Sequence, residues 1–374
     1  TFAPTPTFGA LCLLFSVACT NNWPIQTFDV KVAFLHSLID KPVYVWPPKG
    51  MDILKHTILK LRKALYGTKQ AARCWWLHLK EILGWIGFTP NGEDQSTYCF
   101  ETDQVGISIE QTTRGYEFSQ KDLILKLLAL NGSNITAKSP LPANCNLESN
   151  RTDKMDKDYL RRIGMLLYLA QGSRPDICYA VNYLARFSMA ADNSHWQALE
   201  HLIAYLRGTM DNKLIISKER QEAADITCYL DANWGGEGNR SNHGFLIVHG
   251  KNPISWQSKR QATVAASTAQ AEYIALSFAA RECLWLSNLF RNFLNDKSPL
   301  LLSDNKTAIG IAKECISRKQ TQHLIREFNL INEYLVKKKL DLKWISSKDQ
   351  LADILTKSVG SVTTKNFTNF LNQT

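Results

Sequence analysis

Paired cysteines are absent. Nine cysteines stand singly along 374 residues, with no C-x-x-C pair, which argues against a zinc ribbon and against a disulfide scaffold. Reduced thiols in a cytoplasmic or nuclear compartment follow as the simpler expectation. A long apolar run is absent too. The stretch "FGALCLLFSVAC" at 8–19 falls short of the about 20 residues that span a bilayer, and it lacks the basic start of a signal peptide. It reads as a buried helix, and no membrane association is expected. Acidic residues are in deficit, 34 against 44 Lys and Arg, for a net charge of +10. A basic excess favours a polyanionic partner, nucleic acid first, without separating that from a merely basic surface. Hydrophobic residues make up 45% and charged residues 21%, so the composition is that of a globular chain and not a disordered one. The chain opens on Thr1 instead of Met, which reads as a fragment of something longer.

The length suggests two or three domains. Residues 1 to about 106 mix short extended and helical patterns. "QTFDVKVAFL" is strand-like and contains Asp29, and "PVYVWPP" is a strand closed by prolines that cannot continue a ladder. "LRKALYGTKQAARCWWLHLKEILGWIGF" opens on a basic cluster, turns at Gly67 and continues as an amphipathic helix. Then come a strand "GISIEQ", a turn at Gly115 and a helix "SQKDLILKLLAL", with Ser119 and Asp122 as a loose capping box. A polar, proline-bearing linker follows, and residues 158–210 read as helical with a break at "GSRPDI", where Pro175 suits a first helical turn.

The pattern changes near residue 221. "DITCYLDANW", "HGFLIVHG" and "NPISWQSKRQATVA" are three strands suited to an antiparallel meander. A long helix follows, with Ser267 and Gln270 as its capping box and Leu276, Ala280, Cys283 and Leu284 on one face. Next come strand "PLLLSD", helix "KTAIGIAKE", a basic loop, helix "FNLINEYLVKK", strand "LDLKWIS" and helix "DQLADILTK". This order implies a mixed sheet with helices packed on it.

Four carboxylates fall at matching places in this pattern. Asp231 ends the first strand, Glu272 lies in the first turn of the long helix, Asp304 ends the fourth strand, and Asp353 sits in the last helix. Each has an ordinary reading by itself: a turn residue, a dipole partner, a helix cap or a surface charge. Together, on neighbouring elements of one sheet, they suit two divalent cations about 4 Å apart, which would neutralise a carboxylate otherwise too costly to bury. Hard oxygen ligands favour Mg²⁺, with Mn²⁺ as a substitute.

"CYLDANWGG", "ISWQSKRQATVAASTAQAEYIAL", "LLSDNKTAI" and "QLADILTK" resemble the ribonuclease H domain of Ty1/Copia-type retrotransposon Pol polyproteins. Upstream, "FDVKVAFLHSLIDKPVYVWPPKG" and "LRKALYGTKQAARCWW" resemble the reverse transcriptase of that family. "RRIGMLLYLAQGSRPDICYAVNYLARFS" and "HWQALEHLIAYLRGT" resemble its connecting region. The resemblance implies an α+β chain in three parts. These are a truncated fingers and palm region at 1–140, a helical, thumb-like connection at 141–220, and a ribonuclease H-like domain at 221–374 with a five-stranded mixed sheet. It implies Asp231, Glu272, Asp304 and Asp353 as ribonuclease H metal ligands and Asp29 as the first palm aspartate. Lys60, Arg62, Lys63, Tyr66, Lys69, Gln70 and Arg73 would contact nucleic acid, and His323 the substrate backbone. The implied partners are an RNA–DNA hybrid, an RNA template and DNA.

The sequence also departs from that family. No Asp-Asp pair occurs anywhere, so the family's Tyr-x-Asp-Asp turn is missing, and the chain reads as internally deleted near 104–107. Two functional readings follow: a metal-dependent ribonuclease H joined to a crippled polymerase, or an inert nucleic-acid-binding remnant of a decayed element. The complete carboxylate set favours the first.

Overall fold

A computed structural model describes residues 7–21, 25, 30, 32–47, 57–85, 107–132, 134–143, 145–148, 156–218, 225–235, 239–289, 297–314 and 325–372. The elements in chain order begin with α1 (Phe8–Asn21), β1 (Tyr44–Val45), β2 (Leu59–Lys60), α2 (Ala71–Trp85), β3 (Ser108–Thr112), β4 (Gly115–Ser119) and α3 (Lys121–Ala129). They continue with α4 (Lys157–Gly172), α5 (Cys178–Ala185), α6 (Asn193–Gly208), β5 (Leu214–Ser217), β6 (Ile226–Asn233), β7 (Asn242–His249), β8 (Asn252–Arg260) and α7 (Thr268–Leu289). The last are β9 (Leu300–Ser303), α8 (Lys306–Glu314), α9 (Ile325–Val336), β10 (Asp341–Trp344) and α10 (Ser361–Asn372). Contacts divide the chain into two compact units, residues 1–7 with 24–103, and residues 8–23 with 104–374.

In the first unit, β1 and β2 pair antiparallel with Tyr44 opposite Lys60. The polypeptide turns at Gly67, whose φ of 87° suits a residue without a Cβ. The amphipathic helix α2 then buries Ala71 and Cys74 on Ala64, with Phe34 packed against them.

The second unit is built on a five-stranded sheet of order β10-β9-β6-β7-β8. Strands β6, β7 and β8 form an antiparallel meander, while β9 runs parallel to β6 and β10 parallel to β9. This is the five-stranded mixed sheet that the resemblance implies for 221–374. Alternation sets β6: Ile226, Cys228 and Leu230 point into the core, with partly exposed residues between them. Strand β7 is buried along its whole length, as a central strand covered on both faces should be. Helix α7 packs across β6, β7 and β9.

A second sheet of order β3-β4-β5 lies in the same unit. The strand β5, "LIIS", pairs with β4, just beyond the 158–210 stretch read as helical and within the 141–220 connection. The apolar run at 8–19 forms α1, with Cys12, Leu13 and Val17 almost fully buried. It packs on β8, β5 and α7. Phe15 of α1 meets Tyr116 and Phe118 edge-on, at centroid distances of 4.6 and 5.2 Å. None of the described helices is long and apolar enough to cross a membrane.

The helical stretch breaks at the expected place. Pro175 opens a 3-10 turn at Pro175–Ile177, and a second break before Asp192 precedes α6, which Asp192 caps. Arg174, buried at this break, makes a bidentate pair with Asp176 at 2.9 and 2.7 Å. Tyr205 donates to the same carboxylate, and Arg174 reaches the carbonyl and hydroxyl of Thr209.

Three local expectations are corrected. The start of α3 has no capping box: Gln120 is the N-cap and its side chain makes no cap bond, while the Ser119 hydroxyl accepts from the Lys121 amide. The β8 strand ends at Arg260 and does not continue through "QATVA". "DQLADILTK" forms a pair of 3-10 turns, Ser347–Asp349 and Leu351–Leu355, and the last α-helix is α10. The Gln350 side chain accepts from the Ala352 amide, and the Thr356 amide closes on the Asp353 carbonyl. A tight turn results where the apolar spacing suggests an α-helix.

Candidate metal centre

The end of a buried strand, the start of a helix and the end of a parallel neighbour meet here. Asp231 lies near the C-terminal end of β6, itself buried between Leu230 and Ala232. Asp304 immediately follows β9, the strand paired parallel to β6. Glu272 lies in the first turns of α7, whose start is fixed by two local bonds. The Gln270 amide donates to the Ser267 hydroxyl at 3.2 Å, and the Gln270 side chain accepts from the Ala266 amide at 2.8 Å. The expected capping pair is therefore present, with the glutamine reaching one residue further back than a capping box requires.

One carboxylate oxygen from each of Asp231, Glu272 and Asp304 lies within 4.8 Å of the other two. Glu272 is only 3% exposed, and its Oε2 is buried without a hydrogen-bond partner. Burial first, then the neighbouring Asp231 and Asp304 carboxylates, push the Glu272 carboxyl up to about 9. A buried, unpartnered oxygen facing two further carboxylates is an arrangement that a hard divalent cation resolves. The residues therefore fit such an ion.

Asp353 stands outside this trio. It pairs with Lys357, whose Nζ is 3.0 Å from Asp353 Oδ1 and 4.0 Å from Asp231 Oδ2. Burial and the Asp231 charge raise the Asp353 carboxyl to about 6, with Lys357 pulling the other way.

Four residues around the centre escaped sequence reasoning. The Thr356 hydroxyl donates to Asp231 Oδ2. The Ser347 hydroxyl donates to Asp304 Oδ2 at 2.6 Å. The Gln350 side chain donates to the Leu230 carbonyl at 2.9 Å, which fixes the 351–355 turn to β6. Lys357 is the fourth. One signal was available: Thr356 and Lys357 follow Asp353 by three and four residues, the spacing of one helical turn.

Asp29 and His323 lie outside the described residues. Lys60, Arg62, Lys63, Tyr66, Lys69 and Arg73 are exposed and Gln70 half-buried, on β2, the following loop and the start of α2. Tyr66 is 53% exposed and lies against Phe34, with ring centroids 4.4 Å apart. This basic, aromatic surface belongs to the first unit and the carboxylates to the second.

A family model for reverse transcriptase (RNA-dependent DNA polymerase) matches residues 1–104. The retrovirus-related Pol polyprotein from transposon RE2 of Arabidopsis thaliana is 28% identical over 422 residues, covering 98% of this chain and 29% of that protein. That from transposon TNT 1-94 of Nicotiana tabacum is 26% identical over 420 residues, covering 96% of this chain and 31% of that protein. The chain thus spans less than a third of the length of these relatives. Both alignments are longer than the 374 residues of this chain, so the relatives carry residues that have no counterpart here. Among solved structures, LC11-RNase H1 in complex with RNA/DNA hybrid aligns with 35% of this chain and 94% of its own, at 20% identity and a TM-score of 0.29.

Proposed function

Since the chain belongs to the Ty1/Copia-type retrotransposon Pol polyproteins, we propose that residues 221–374, within its second unit, are a divalent-metal-dependent ribonuclease H that cuts the RNA strand of an RNA–DNA hybrid. One observation carries this reading: three carboxylates from β6, α7 and the end of β9 converge within 4.8 Å, with an unpartnered Glu272 oxygen among them.

Asp231, Glu272 and Asp304 would hold one cation, and Asp231 with Asp353 a second; Mg²⁺ suits the all-oxygen donor set, with Mn²⁺ as its substitute. Such a pair supplies Lewis-acid stabilisation of the scissile phosphate and a more acidic attacking water. The chain's own residues do the rest. Thr356 and Ser347 hold Asp231 and Asp304 by hydroxyl hydrogen bonds, so that these ligands keep their rotamers. Burial and the neighbouring carboxylates raise the Glu272 carboxyl, and a bound cation would relieve that effect and hold it as the carboxylate.

We assign residues 1–140 to an internally deleted reverse transcriptase region, 141–220 to the connection and 221–374 to the ribonuclease H-like domain. The deletion reading is supported by the reverse transcriptase match, which stops at residue 104, beside the proposed junction at 104–107. Asp29 then lacks the partner carboxylates that nucleotide addition needs, and polymerase activity is lost. Lys60, Arg62, Lys63, Tyr66, Lys69, Gln70 and Arg73 remain a surface for RNA or DNA backbones and stacked bases, and His323 a backbone contact.

The test is cleavage of a hybrid labelled on each strand. The RNA strand should be cut in Mg²⁺ and left intact in excess chelator. Asp231→Asn should abolish cutting while hybrid binding persists, because phosphate contacts supply most of the affinity. Cleavage that survives either treatment rules the reading out.

A further inference from the structure

The four carboxylates are not compensated evenly. Asp231, Glu272 and Asp304 face one another, carboxyl group against carboxyl group. The remaining pair, Asp231 and Asp353, already has a positive charge between its members: Lys357 Nζ lies 3.0 Å from one and 4.0 Å from the other. Two catalytic cations stand about 4 Å apart and share a ligand. If the trio holds one ion, Asp231 is the shared ligand, and the ammonium group occupies the place of the second. We propose that Lys357 is a resident stand-in for the second divalent cation, so that ions load in order, the first at Asp231, Glu272 and Asp304 and the second only as Lys357 withdraws.

The proposal deepens the metal reading above and rests on it. Lysine suits this role because its ammonium is a compact point charge on a flexible four-carbon stem, without the planar fork that would lock arginine onto a carboxylate. The side chain is 42% exposed, so it has solvent to move into. The stem is fixed by position, since Lys357 follows Asp353 by four residues, and its amide bonds to the Asp353 carbonyl. The device keeps Asp231 and Asp353 neutralised when a single ion is bound. It also makes the second ion compete with a tethered charge.

The test is Mn²⁺ titration of the 374-residue chain, with free Mn²⁺ followed by electron paramagnetic resonance. The unsubstituted chain should bind one ion tightly and a second at least about tenfold more weakly, since a unit charge about 4 Å from the ligands has an effect of that order or more. Lys357→Met should tighten the second site by about tenfold or more and leave the first nearly unchanged. Lys357→Arg, which keeps the charge, should leave the second site weak. Superimposable isotherms for the unsubstituted chain and Lys357→Met, or tightening by arginine equal to that by methionine, would overturn the proposal while leaving the metal reading intact. Should Lys357→Met fail to fold, two equally tight sites in the unsubstituted chain would overturn it. Loss of all Mn²⁺ binding, or a first site indifferent to Glu272→Gln, would instead sink the metal reading on which the proposal stands.

Discussion

Gly244 lies directly opposite Asp231 in the β6–β7 ladder, and Leu355 fills the space where a Gly244 side chain would stand. A Cβ at Gly244 would come 2.6 Å from the Leu355 Cβ and 2.9 Å from the Leu355 carbonyl oxygen. The backbone contact cannot be relieved by a rotamer change. The missing side chain thus lets the 351–355 turn rest on the sheet, which brings Asp353, Thr356 and Lys357 to Asp231. Gly244→Ala should push that turn away. We expect a loss of about 1–3 kcal/mol of stability, the usual range for overpacking, and a fall in hybrid cleavage larger than the stability loss explains. Urea unfolding and cleavage rates on the same preparation would check both, and full activity would show that the turn is not held this way.

Truncating the trio should separate chemistry from folding. Glu272→Gln keeps the shape of the side chain but removes its titratable carboxyl, whose ionisation burial and the neighbouring Asp231 and Asp304 carboxylates make costly. The variant should be at least as stable as the parent in chelator. Its cleavage should fall on the order of 10³-fold, because a metal ligand contributes several kcal/mol to transition-state stabilisation. Thermal melts and single-turnover cleavage are the measurements.

The pH dependence has a definite sign. The Glu272 carboxyl is raised from 4.5 to about 9 in the folded chain, and Asp353 from 3.8 to about 6. The folded state therefore holds protons that the unfolded chain has released. Their stabilising effect is complete below about pH 4, where both states are protonated. It is lost as pH rises, through about 6 for Asp353 and about 9 for Glu272. In chelator, the melting temperature should fall between about pH 5 and 9 by way of these two groups, and Glu272→Gln should flatten most of that fall. In saturating Mg²⁺ the stabilisation by metal should grow over the same range, because binding releases those protons. A Glu272→Gln profile parallel to the parent's would contradict the assignment.

Away from the centre, Arg174 and Asp176 form a fully buried pair shared with Tyr205 and Thr209. Arg174→Met leaves the buried Asp176 side chain stripped of its bidentate partner. That should lower stability by about 3–5 kcal/mol, read as a shift in the urea midpoint. A change below about 1 kcal/mol would mean that water reaches the site.

Much of the centre is legible in the sequence, and for a physical reason. Asp231 ends an apolar run, Asp304 follows another, and Glu272 comes just after a capping serine, so local pattern places all three at element ends. Asp353 is less legible: the spacing of "LADIL" suits an α-helix, and only side-chain bonds of Gln350 and the closing Thr356 amide make it a tight turn. The strand β5 is illegible because four residues, "LIIS", owe their extended form to pairing with β4, about a hundred residues earlier. The seat of α1 on β8 and β5 is illegible likewise, since a helix apolar all round says only that it is buried. The helix α10 could have been found: Thr364, Phe367 and Leu371 are buried at helical spacing.

Primer extension on an RNA template tests the deletion. The chain should add no nucleotides in Mg²⁺, and one carrying a family Tyr-x-Asp-Asp hairpin at 104–107 is the comparison. Extension by the unaltered chain that disappears in Asp29→Ala would show that the partner carboxylates lie elsewhere in the sequence.

The most direct measurement of the central claim is the position of Mn²⁺ by anomalous scattering in crystals of this chain soaked at saturating concentration. The account predicts a peak coordinated by oxygens of Asp231, Glu272 and Asp304, with a second beside Asp353 only where Lys357 has turned away. An empty trio, or Mn²⁺ bound elsewhere while these three carboxylates keep their present arrangement, would contradict it.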